Sequence, residues 1–136
     1  MKFDKAGTLI VRVYTAGGAL PVPNTVIRIL GADEENRGIQ YSVITDIDGV
    51  TEKIELPTPS QIYSQSPGAK ERGYGLYNIE VSADGYYTKH IYNVAVFENV
   101  EAIQGVNMIP LQIYENGTTY PRNNLNTFVR ENGNLE

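Results

Sequence analysis

The chain has 136 residues, 41% hydrophobic and 20% charged, with no cysteine and a formal net charge of −5. That length and balance fit one globular domain able to bury a core unaided, and the composition is of neither the disordered nor the membrane type. A net negative chain repels phosphate, which argues against sequence-independent nucleic-acid binding, and without cysteine there are no disulfides, thiolate metal sites or cysteine nucleophile.

Residues 8–15, TLIVRVYT, alternate: Leu9, Val11 and Val13 point one way, Ile10, Arg12 and Tyr14 the other. Period two with β-branched residues predicts a strand. AGGALPVPN (16–24) is a Gly- and Pro-rich connection. TVIRIL (25–30) predicts a second strand, GADEENRG (31–38) a charged turn and IQYSVIT (39–45) a third strand closed by the turn DIDG (46–49). VTEKIEL (50–56) predicts a fourth strand, with Ile54 and Leu56 on one face.

Residues 57–73 have no periodicity and carry Pro57, Pro59, Pro67, Gly68 and Gly73. A loop of this length is expected to be functional. YGLYNIEVSA (74–83) predicts a fifth strand that turns Tyr77, Ile79 and Val81 inward. Asp84-Gly85 is a hairpin-type turn signal. YYTKHIYNVAVF (86–97) is expected to hold one or two strands, placing Tyr86 and Tyr87 on opposite faces, and VEAIQGVNMIPL (100–111) the last. About seven short strands without helical spacing predict an all-β sandwich of Ig-like type. Residues 112–136, rich in asparagine, are expected to be a separate C-terminal extension, a docking or assembly arm following a 1–111 sandwich. No apolar run approaches the roughly 20 residues of a membrane helix, and the N-terminus shows no signal-peptide block.

The order of these pieces resembles the transthyretin-like, or carboxypeptidase-regulatory-like, β-sandwich. Thr45, Asp46 and Gly49 match its first turn, and Tyr77, Ile79, Val81, Gly85 and Tyr86 its later strand and turn. GTLIVRVYTAGGALPV (7–22), ELPTPS (55–60), GYYTKHIYNVAVF (85–97) and IQGVNMIPL (103–111) are similar, in order, to the N-terminal domain of clostridial spore cortex-lytic and peptidoglycan-binding proteins. The resemblance spans 7–111 and implies a sandwich with an envelope role. It carries over no catalytic residue and ends where those proteins continue into further units.

His90 is the sole side chain whose unperturbed titration lies near neutrality. Chemistry there would need a carboxylate on an adjacent strand, and a bystander on an exposed face is the simpler reading. DIDG has the opening of a calcium loop but lacks the rest of the ligand set, so Asp46 and Gly49 are expected to serve a tight turn. Asp33, Glu34 and Glu35 are expected to be solvated. Glu52 and Glu55 share one strand with opposite parity, unlike a glycosidase pair facing across a cleft.

The expectation is therefore a chain that is not an enzyme, with no catalytic, cofactor-binding or metal-binding residues and no cofactor. It is read as a binding or assembly module of a bacterial cell-envelope or spore-cortex system. The alternative is a structural component of a phage or phage-like particle. Candidate partner contacts are Ile62 and Tyr63 in the long loop and Tyr120, Leu125 and Phe128 in the C-terminal extension, because exposed apolar and aromatic side chains anchor interfaces. Protein partners or self-assembly are expected, and peptidoglycan as a further partner.

Overall fold

The computed structural model describes residues 2–64, 73–113 and 119–120. In chain order the strands are β1 (Lys5–Thr15), β2 (Leu20–Pro21), β3 (Val26–Gly31), β4 (Gln40–Ile44) and β5 (Ile54–Thr58). They continue with β6 (Tyr74–Ser82), β7 (Lys89–Phe97), β8 (Glu101–Asn107), β9 (Gln112–Ile113) and β10 (Thr119–Tyr120). Two compact units result, one of Met1–Asp84 with Thr88–Met108, the other of Gly85–Tyr87 with Ile109–Glu136.

The first unit is an all-β sandwich of two four-stranded sheets. In one, β1 carries β5 and β2 antiparallel along one edge and β8 parallel along the other. In the other the order is β4-β3-β6-β7, antiparallel throughout. Alternation works as the sequence predicts: Leu9, Val11 and Val13 from β1 face Ile27 and Ile29 from β3 and Tyr77, Ile79 and Val81 from β6, all essentially inaccessible to water. Burying each such side chain stabilises the fold by about 1.5–3 kcal/mol before conformational entropy is set against it.

Threonines finish one end of this core. Thr25 and Thr45 both donate their hydroxyls to Val22 O, at 3.1 and 2.9 Å, and Thr45 Oγ1 accepts from Thr25 N–H at 2.9 Å. Thr51 Oγ1 accepts from Val11 N–H at 3.0 Å. These hydroxyls satisfy buried backbone groups where the regular ladder stops.

Two expectations are corrected. The fourth strand begins at Ile54 and runs through Pro57 and Thr58, which pair with Ala6 and Lys5, so the long loop starts later than its prolines suggest. Proline is tolerated there because β5 lies at a sheet edge. Asp84-Gly85 does turn, with Gly85 at φ +86°, but makes no two-residue hairpin, since the β6–β7 ladder closes at Val81 and Lys89. Gly85 O instead accepts from Leu111 N–H and Tyr87 N–H donates to Ile109 O, each at 2.9 Å. Tyr86 and Tyr87 therefore lie outside any strand, both half-buried in the second unit. That unit also holds the antiparallel pair β9 and β10. β8 runs parallel to β1, a pairing that alternation alone does not reveal.

Candidate interaction surface

The outer face of the β4-β3-β6-β7 sheet carries one continuous polar row. Ser42 pairs with Arg28, Arg28 with Glu80 and Glu80 with His90, one residue from each strand. Arg28 Nη1 donates to Glu80 Oε1 at 2.8 Å, His90 Nε2 lies 3.9 Å from Glu80 Oε2, and the His90 ring stacks on Tyr92 at 6.2 Å. So His90 does have a carboxylate on the adjacent strand. Alternation could have found it, because Glu80 and His90 both fall at outward positions of strands whose inward positions are apolar. The Arg28, Glu80 and His90 side chains are 43%, 29% and 49% exposed, so solvent screens them and the row is worth little to stability. It leaves that face electrically mixed.

Ile62 stands out from the 3-10 turn Gln61–Ser64, 63% exposed. Glu98, in the turn after β7, fixes its base: its Oε1 accepts from Ser60 Oγ at 3.1 Å and Gln61 N–H at 2.9 Å. A carboxylate thus holds an apolar side chain outward. The side chains of Tyr63 and Tyr120 lie outside what the structure describes, as do Leu125 and Phe128 entirely. The backbone of Tyr120 belongs to β10.

DIDG is a tight turn. Asp46 Oδ1 accepts from Asp48 N–H at 2.9 Å and Val50 N–H at 3.0 Å, and Gly49 supplies φ +75°. Replacing Asp46 with Ala is expected to cost about 1 kcal/mol, the scale of the turn bonds lost. Asp46→Asn, which keeps the acceptor, should lose less, as read from denaturant midpoints. Among the described residues no three His, Cys, Asp or Glu side chains group as metal ligands would. None of their helices is long and apolar enough to cross a membrane.

The sheet edges differ. β7 carries Lys89 and a register break at Tyr77/Ile79, where Asn93 adopts φ +59°. β8 carries Glu101 and Gly105, and β5 carries Glu55 and Pro57. Charge, proline and bulges all discourage another strand from pairing. β4 reads Gln-Tyr-Ser-Val-Ile, with none of these devices. Gly31 N–H donates to Ile39 O at 3.1 Å and Thr45 N–H to Thr25 O at 3.0 Å, so odd-numbered residues face β3. Alternation turns the backbone N–H and C=O of Gln40, Ser42 and Ile44 to the outer edge. Among the described residues no strand pairs there.

The chain matches no protein-family model and no curated protein. Solved structures do share its fold. Catechol 1,2-dioxygenase from Pseudomonas arvilla C-1 superposes with a TM-score of 0.53 at 13% identity, over 96% of this chain and 60% of that one. Hydroxyquinol 1,2-dioxygenase from Pseudomonas putida DLL-E4 gives 0.52 at 11% identity, over 81% and 58%. The Bacillus anthracis TIE protein gives 0.52 at 15% identity, over 79% of this chain and 17% of that one. This chain thus spans less than two thirds of each neighbour. At such identities the likeness is one of fold, a β-sandwich. It also corrects the expectation that the chain is not an enzyme: dioxygenases are built on the same frame, so the fold gives no ground for excluding catalysis.

Proposed function

We propose that the chain is a docking module of a bacterial cell-envelope or spore-cortex assembly, holding protein partners at the peptidoglycan layer. The observation that carries the docking reading is β4, which among the described residues is an open edge without charge, proline or bulge in a sandwich whose other edges have them. Strand addition to such an edge supplies main-chain hydrogen bonds for affinity and alternate side-chain positions for specificity. Ile62, held outward by the Glu98 anchor, is a second apolar contact. The envelope assignment rests on the spaced motifs of 7–111 that resemble cortex-lytic proteins.

Co-sedimentation with purified sacculi tests it, using sacculi that keep their bound proteins and sacculi stripped of them. Retention on the protein-bearing sacculi is expected, weakened at least tenfold by Ser42→Lys, which puts a charge on the open edge. No retention on either preparation overturns the envelope assignment and favours the particle-component reading.

A further inference from the structure

We infer that β4 takes a second copy of this chain, antiparallel and in register about Ser42, so that two sandwiches share one continuous sheet. This rests on the docking reading and names its partner. The open backbone groups belong to Gln40, Ser42 and Ile44, a set symmetric about Ser42. A two-fold axis through Ser42 sets Gln40 opposite the partner's Ile44 and Ser42 opposite its twin, so every open N–H and C=O finds a mate. Moving the axis to residue 41 or 43 leaves an end residue of each strand unpaired.

The side chains agree. On the outer face Ile44, 60% exposed, lies across from the aliphatic stem of Gln40. On the inner face Tyr41, 39% exposed, lies across from the half-buried Val43, an aromatic and β-branched pair of the kind that stabilises sheets. Charge agrees too. Two chains of net charge −5 repel at long range, yet β4 itself is uncharged, so they can meet there without like charges opposed. The antiparallel register also brings the turn bearing exposed Arg37 toward the partner's turn bearing exposed Asp46 and Asp48. A two-fold pairing of this kind closes on itself and stops at the dimer.

The test is a charge swap at Ser42, whose side chain is exposed on the outer face. Sedimentation equilibrium on the full chain is expected to give twice the chain mass for the wild type. Ser42→Lys and Ser42→Glu, each setting like charges face to face on the axis, are expected to give the single-chain mass with an unchanged far-UV circular dichroism spectrum. A 1:1 mixture of the two is expected to recover the double mass, since Lys then meets Glu. A wild type that stays monomeric at about 100 μM, a concentration well above the micromolar constants of weak specific association, overturns the inference. So does a mixture that fails to reassociate. A monomeric wild type still retained on protein-bearing sacculi would sink self-pairing and leave the docking reading standing, whereas a dimer retained on neither preparation would sink the envelope assignment and leave self-pairing standing.

Discussion

Truncating Tyr77 to Ala is expected to cost about 3–5 kcal/mol, the range for removing a large buried aromatic, against a total stability of about 5–15 kcal/mol for a domain of this kind. Tyr77 is wholly inaccessible to solvent in the middle of its sheet. Its hydroxyl crosses the core and donates to Pro57 O, on β5 of the facing sheet, at 2.6 Å. One side chain therefore fills the core and ties its two layers together. Tyr77→Phe separates the contributions: it keeps the ring, orphans the Pro57 carbonyl and should cost only about 1–2 kcal/mol.

The hydroxyl adds a pH signature. Burial pushes the Tyr77 pKa up to about 12 from its ordinary 10.0, with the nearby Tyr41 and Asp33 acting in the same direction and a hydrogen bond with Asn36 acting against it. The folded state thus holds its proton more tightly than the unfolded chain. This contribution to stability is fully present below pH 10 and is lost as pH rises toward 12. Denaturant midpoints across that window should fall faster for the wild type than for Tyr77→Phe. Parallel profiles would show that the hydroxyl is not held in the core as described.

Much of this was readable from residues alone. Leu9, Val11 and Val13 alternate cleanly because one face of β1 is buried and the other is not, and the same rule places Tyr77, Ile79 and Val81. Asp46 and Gly49 announced their turn because few other residues can accept two nearby N–H groups or adopt positive φ. What alternation cannot encode is which strand lies beside which. The parallel run of β8 along β1 joins residues far apart in sequence, and so does the row from Ser42 through Arg28 and Glu80 to His90. Gln40 to Ile44 looked like an ordinary strand until its neighbours were known; only the topology makes it an edge. Tyr86 and Tyr87 misled because strand-forming residues sit where the backbone is already committed to Ile109 and Leu111.

Replacing Gly7 with Ala is expected to destabilise the sandwich by about 1–3 kcal/mol, the usual cost of forcing atoms into a packed core. Nothing in the local sequence marks this glycine, which sits inside a strand and pairs with Leu56. Its role comes from the facing sheet. A Cβ here would run into the backbone carbonyl oxygen of Phe97, and would stand 2.8 Å from Val96 Cγ1 and 3.0 Å from Phe97 C. A side chain can rotate away, but a strand carbonyl cannot. Nor can the two strands part easily, because Asn99 N–H donates to Ala6 O at 2.9 Å and Thr8 N–H to Val100 O at 3.0 Å, bracketing Gly7 on both sides. The missing side chain is what lets β1 lie against the end of β7 while the chain turns into β8. Gly38→Ala is the control. A Cβ there has open space, and its φ lies outside the left-handed region, so stability should change by no more than about 0.5 kcal/mol, with the reduced freedom of the unfolded chain favouring the variant. Equal midpoints for the two variants would mean that the sheets do not meet at Gly7 as closely as the structure has them.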